Sequence, residues 1–304
     1  LCQTLFPYTT LFRSGQVTRI YQVNGYKQDG EFAYDGYGNI YFIASALGKK
    51  TSRNSRIMSL ELETGKVSLA LDFDNFLSEM YKKSGKKANW IDINSVQVCG
   101  TNKLIISSKS LSSIFKVSNV GSLLPKLDYI IADKDIWAKC KNLKKKVLKK
   151  YSKDDADESA TADPSATDDT DSIESILNQG KKKPDPFRSQ YGQNALTSNS
   201  SGTLITMLNN NAGKYAKKSN DKSYYYQFKV NESAKNYRVS EKKAFEKTSN
   251  NGNIIKGDSR YIYCCSDKGK FIETDSAGKL IKGFKTGGRP YRVYKNDWKN
   301  FWFY

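Results

Sequence analysis

One local scheme recurs along this chain and restricts its fold more than any other feature. A short run rich in aromatic and β-branched residues ends in turn chemistry, and a second such run returns. Asp35-Gly36-Tyr37-Gly38-Asn39 is a turn signal ahead of the strand candidate Ile40-Tyr41-Phe42-Ile43-Ala44. Arg56 to Leu62 alternates, Glu63-Thr64-Gly65-Lys66 turns the chain, and Val67 to Leu71 returns it as a hairpin. The scheme comes back at Lys103–Ser108 with Ser113–Val117, and at Gly202–Thr206 with Tyr224–Val230. A later copy runs from Arg260 to Asp275, and its turn Ser276-Ala277-Gly278-Lys279 echoes the Gly65-Lys66 turn.

Spacings of roughly 40 to 100 residues between copies suit loosely repeated four-stranded blades. The sequence therefore predicts an all-β chain of four-stranded antiparallel blades, a β-propeller. A β-sandwich is the alternative, and the repeated Gly-Lys hairpin favours the propeller. One segment departs from the scheme. Phe76, Leu77 and Met80 within Phe73–Tyr81 fall at helical spacing, which predicts a short helix connecting two blades.

Composition agrees with strands: among 304 residues, 20 are Tyr and 14 are Phe. The formal net charge is +19, which attracts anionic small molecules, surfaces or nucleic acid. Lysines outnumber arginines, and no arginine-rich helix or zinc-finger spacing occurs, so specific nucleic-acid recognition is not expected. None of the five cysteines forms a Cys-x-x-Cys pair, and the chain has no histidine. Neither a metal site nor a disulfide framework is expected. Adjacent Cys264 and Cys265 in a strand point to opposite faces. No apolar run reaches the ~18 residues of a membrane-spanning helix.

Four regions follow. Thr4 to Ser14 resembles the translated frame of a sequencing adapter, so residues 1–14 are set aside as non-native. On that reading the natural chain starts upstream, where a signal peptide and further blades belong. Residues 15–140 and 186–304 hold the blades. Residues 141–185 form a charged low-complexity insert with seven lysines between Lys141 and Lys153, then nine acids between Asp154 and Glu174. Such blocks bury too little apolar surface to offset the entropy of ordering, so the insert is expected to be largely disordered. A short helix over Lys141–Lys150 is expected within it.

Several segments carry a family pattern in order: Asp29-Gly30-Glu31-Phe32, Asn89-Trp90-Ile91-Asp92-Ile93-Asn94-Ser95, Ile106-Ser107-Ser108-Lys109 and Gly192-Gln193-Asn194. The tail from Tyr291-Arg292-Val293-Tyr294 to Phe301-Trp302-Phe303 completes it. Together they resemble the bacterial arylsulfotransferases. The resemblance implies a six-bladed propeller, incomplete here, with its site at the mouth of the central channel. It implies transfer of a sulfuryl group from an aryl sulfate to a phenol through a sulfohistidine. It also implies no cofactor and a secreted, cell-surface or periplasmic setting. Splitting one displacement into two lowers the barrier of each, and neighbouring donors hold the sulfuryl charge.

The matched positions depart from the family at every histidine. Asp29 and Gly30 stand for two of them, Asp92 for the one beside Trp90, and Asn194 for the nucleophile. Lys109 stands for an arginine and loses the bidentate fork suited to sulfate. Asn94 matches outright. Asn94 and Lys109 are the candidate substrate-binding residues; Asn194 and Asp92 are the substituted catalytic positions. An amide is not a nucleophile, so sulfuryl transfer is expected to be impaired or absent, and a covalent step would need another group, with Tyr191 the candidate. Two other readings stay open: a non-catalytic binding module for anionic aromatic ligands, and a protein that docks partners through its charged insert.

Overall fold

The computed structural model describes residues 19–48, 52–151, 189–216 and 221–295. The adapter-like run 1–14, most of the insert (152–185) and the tail end 296–304 lie outside them.

Turn chemistry sets the first blade. Asp35 Oδ1 accepts from the backbone N–H of Tyr37 (2.7 Å) and Asn39 (2.9 Å). This closes the turn between β1 (Tyr26–Tyr34) and β2 (Asn39–Ala46). The predicted hairpin joins β3 (Arg56–Glu61) to β4 (Val67–Asp72). There the Gly65 N–H donates to Glu61 O at 2.8 Å, with Gly65 at φ 73°, a conformation open to glycine. Three more sheets follow in chain order. The second holds β5 (Ile93–Val98), β6 (Leu104–Ser108), β7 (Ser113–Ser118) and β8 (Lys126–Ile131). After β9 (Lys149–Lys150), the third holds β10 (Asn194–Ser198), β11 (Leu204–Asn209), β12 (Lys222–Asn231) and β13 (Asn236–Glu246). The fourth holds β14 (Ile254–Lys256), β15 (Arg260–Cys265), β16 (Lys270–Asp275) and β17 (Leu280–Lys285). Each sheet pairs its strands antiparallel in sequence order, and β9 adds a parallel fifth strand to the third sheet.

The cores lie between blades, and the two-residue period of a strand builds them. In β6, Leu104 and Ile106 face the cluster shared with the first blade, whereas Ile105 faces the cluster shared with the third. Phe115 and Ile114 in β7 divide the same way. A further cluster joins Leu208, Tyr225 and Phe245 of the third blade to Tyr261 and Tyr263 of the fourth. Each fully buried Leu, Ile or Phe contributes roughly 1.5–3 kcal/mol relative to exposure, so face-to-face stacking of blades holds the propeller together.

The predicted connector is two short helices, α1 (Phe73–Phe76) and α2 (Ser78–Lys83), between β4 and β5. Asp72 caps α1 by accepting from the Asp74 N–H at 2.9 Å. Leu77 and Met80 are buried and Phe76 partly so.

The helix expected over Lys141–Lys150 is not formed. Leu143–Lys146 makes one 3-10 turn, and β9 follows. The reason is tertiary. Ile130 O takes the Leu148 N–H at 2.8 Å, Lys149 pairs with the start of β13, and Leu148 is buried between the second and third blades. Strand pairing at two blade edges outweighs a helix with no apolar face. The described cysteines are free and buried. Cys264 Sγ lies 3.8 Å from Pro290 O and Cys265 Sγ 3.5 Å from Lys247 O, on opposite faces of β15. No helix among the described residues is long and apolar enough to cross a membrane.

Candidate functional site

The inner strands β5 and β10 start at the same end of the propeller, and the candidate residues gather there. Asp92 precedes β5 in a left-handed conformation (φ 46°) that short polar residues tolerate. Its backbone O accepts from the Lys109 N–H at 3.0 Å, which joins the start of β5 to the end of β6. Its Oδ1 accepts from Asn54 Nδ2 at 3.2 Å, and Ser45 positions Asn54 in turn.

Asn194 opens β10 and is buried. Its Oδ1 accepts from Asn94 Nδ2 (3.1 Å) and Arg292 Nη2 (3.2 Å), and its Nδ2 donates to Gly252 O (3.1 Å). Asn94 Nδ2 also donates to Gln193 O at 2.7 Å, and its own Oδ1 is buried without a partner.

The residues before Asn194 explain the motif around it. A β-carbon on Gly192 would lie 2.6 Å from Ala212 O, so only glycine fits there. Gln193 is fully buried, and its Nε2 donates to Ser107 Oγ, Ser108 O and Ser113 O at 3.0–3.1 Å. Gln190 Nε2 reaches Ile131 O at 2.8 Å. The segment thus stitches the third blade to the second and sets Asn194 at the start of β10, beside Asn94. Tyr191 takes part in the stitching: its hydroxyl donates to Asp133 Oδ2 at 3.0 Å.

Of the sequence-predicted residues, Asn94 and Asn194 touch. Asp92 sits at the same end, tied to Lys109 through the backbone. The Lys109 ammonium reaches Asn250 Oδ1, two residues before the Gly252 whose carbonyl takes the Asn194 amide. The residues the sequence did not single out are Arg292 and Glu31. Arg292 forms an ion pair with Glu31 of β1, with side-chain exposures of 7% and 10%. Burial lowers the Arg292 pKa, and Nε is left without a partner. Arg292 arrives on a strap beside the start of β14. Gly252 N donates to Tyr291 O (2.9 Å), and the Asn253 carboxamide exchanges bonds of 2.7 and 2.9 Å with Val293. The Arg292 guanidinium lies 5.0 Å from the centroid of the Tyr291 ring. Burial, with smaller contributions from Tyr294, Asp29 and Asp92, pushes the Tyr291 pKa up to about 12. The family-like tail pattern was the available signal for Arg292. Glu31 lay within the Asp29-Gly30-Glu31-Phe32 segment, but its pairing could not be read there, because its partner lies at the other end of the chain.

Consecutive four-stranded antiparallel blades define a β-propeller, and polar side chains gather where its inner strands β5 and β10 begin. The sequence matches the family model described as Arylsulfotransferase (ASST) over residues 13–251. The chain belongs to the arylsulfotransferase family. No curated protein matches it. Among solved structures, it is similar to the periplasmic gluconolactonase PpgL of Pseudomonas aeruginosa at 8% identity and a TM-score of 0.43, covering 91% of this chain and 62% of that one. Its likeness to the nidogen/laminin complex is 8% identical with a TM-score of 0.39, covering 92% and 91%. Virginiamycin B lyase from Staphylococcus aureus is 10% identical with a TM-score of 0.39, covering 86% and 73%.

Proposed function

We propose that this propeller keeps the arylsulfotransferase axial site as a binding site and does not carry sulfuryl transfer. The Asn194 carboxamide carries the argument. It stands at the nucleophile position, is buried, and has both its oxygen and its nitrogen engaged. An amide so held offers no lone pair for attack on sulfur. The nearest guanidinium, Arg292, already has a carboxylate partner in Glu31. Loss of a nucleophile from an assembled site costs on the order of 10⁶-fold in turnover. Tyr191 is buried with its hydroxyl donating to Asp133 Oδ2, and the burst measurement below tests it together with the rest of the site.

The ligand this site suits is an anionic aromatic molecule, an aryl sulfate by family. Arg292, whose Nε is left without a partner, supplies a donor, and the Tyr291 ring supplies an aromatic surface beside it. Asp92 opposes an anion, so Asp92→Asn is expected to tighten binding several-fold. The test mixes the full chain with a chromogenic aryl sulfate, with and without a phenol acceptor. Neither a burst nor steady release of phenol is expected, whereas titration calorimetry should detect weak binding. Steady turnover at ordinary enzymatic rates would sink the reading. Asn194→His alone is expected to restore little, because Asp92 and Lys109 remain unsuited to the transition state. A secreted or periplasmic setting is part of this proposal and rests on the family; fractionation of cells expressing the native gene tests it.

A further inference from the structure

The end of the propeller opposite the axial site carries a different kind of surface. Strand register places Asp92, Lys109 and Ile131 at one end of the second blade, and the β7–β8 hairpin at the other. The tip of that hairpin presents Leu123 at 99% exposure and Leu124 at 81%. These leucines do not hang from a loose loop. Gly121 N donates to Ala70 O of the first blade at 3.1 Å, and Ser122 N to Asn119 O at 3.2 Å. Ser122 Oγ then accepts from the Leu124 N–H at 3.2 Å. The turn is anchored and holds two apolar side chains in water.

Two hollows flank the tip. Toward the first blade, a cavity of about 460 Å³ is lined by Leu69, Leu71, Phe76 and the tip itself. Toward the third, a cavity of about 390 Å³ is lined by Lys126, Lys145, Lys146 and Lys235, with Asp128 and Glu232. Asp128 pairs with Lys126 at 3.5 Å, and Glu232 pairs with Lys116. Lys145, Lys146 and Lys235 have no ion-pair partner among the described residues, so this hollow carries net positive charge.

We propose that this hairpin docks the protein on an anionic lipid surface. Leu123 and Leu124 enter the acyl region, and Lys145, Lys146 and Lys235 meet headgroup phosphates. A convex apolar tip on a rigid turn suits a deformable bilayer, and the adjacent lysines select anionic headgroups by charge. The surface lies away from the axial site, so the proposal stands whether or not that site turns over.

Sedimentation of the full chain with vesicles tests it. Binding is expected to vesicles of phosphatidylcholine containing phosphatidylglycerol, and to fall by roughly tenfold or more on phosphatidylcholine alone or in 0.5 M salt. Leu123→Asp with Leu124→Asp should lose roughly tenfold or more, and Lys145→Glu with Lys146→Glu a similar factor. All these side chains are exposed, and an unchanged thermal midpoint for each variant confirms folding. Absence of binding to either vesicle, equal binding to both, or undiminished binding by the leucine variant overturns the proposal. So does a wild-type chain that ignores vesicles but self-associates through the tip, with the leucine variant monomeric, since the occupant is then a second copy.

Discussion

The second and fourth blades share one topology and differ in what covers them. In the second, every residue of β6 and β7 is buried, including Ser113, Lys116 and Ser118. In the fourth, every residue of the outermost strand, β17, is exposed, although its sequence, Leu280-Ile281-Lys282-Gly283-Phe284-Lys285, is as apolar as many buried strands. The inner strands of the fourth blade are nonetheless enclosed: Tyr263 and Cys264 are fully buried. Burial here follows neighbours. A blade between two others has both faces covered, and polar residues such as Lys116 are carried inside by their position in the strand and satisfied there by Glu232.

The contrast predicts a graded response. Phe115→Ala in β7 removes a fully buried ring that contacts Phe73 at 5.9 Å and Trp137 at 5.8 Å. It should cost about 3–5 kcal/mol in denaturant unfolding. Phe284→Ala in β17 removes a ring that is 45% exposed and stacked on Phe271 at 4.6 Å, and should cost about 1 kcal/mol. Equal losses would break the comparison.

Gln193→Ala comes next. It takes one donor group away from three buried acceptors of the second blade and should cost about 2–3 kcal/mol. The loss should appear as separation of the second and third blades, with early proton exchange at Ser107 and Ser113.

A pH series sharpens the comparison further. Burial pushes the Cys99 thiol, beside the second blade's inner turn, and the Cys264 thiol of β15 each up to about 11. An unfolded thiol titrates near pH ~8.5. The folded chain therefore holds these protons more tightly, so stability is fully present below pH ~8.5 and falls as pH rises towards about 11. Cys99→Ala and Cys264→Ala should each flatten that decline by a similar amount. A flattening from Cys99→Ala alone would mean the fourth blade's interior is open. The smallest effect is expected at Leu280, 60% exposed, where Leu280→Lys should change stability by less than ~0.5 kcal/mol.

Much of the architecture was legible in the residues because turns are local. Asp35, Gly65 and Gly278 mark hairpins through interactions within a few positions of themselves, and each hairpin stands where the pattern put it. The connector at Phe73–Lys83 was legible for the same reason. The lysine-rich stretch after Lys141 was misread as helical because its conformation is set by Ile130 and by β13, which no local pattern reports. The axial site divides in the same way. Asn94 and Asn194 could be picked out from ordered motifs, but that they bond each other depends on two blades meeting.

The sequence by itself determined the hairpins, the family and the absence of any histidine, since each is written in residue identity and short spacing. The tertiary structure alone decided that Asn194 is held on both sides, that Arg292 comes back from the tail to Glu31, and that Leu123 and Leu124 stay in water. Those outcomes depend on which distant segments become neighbours when blades stack. The free energy of a buried ion pair or an orphaned apolar side chain is set by what surrounds it in space, not by what adjoins it along the chain.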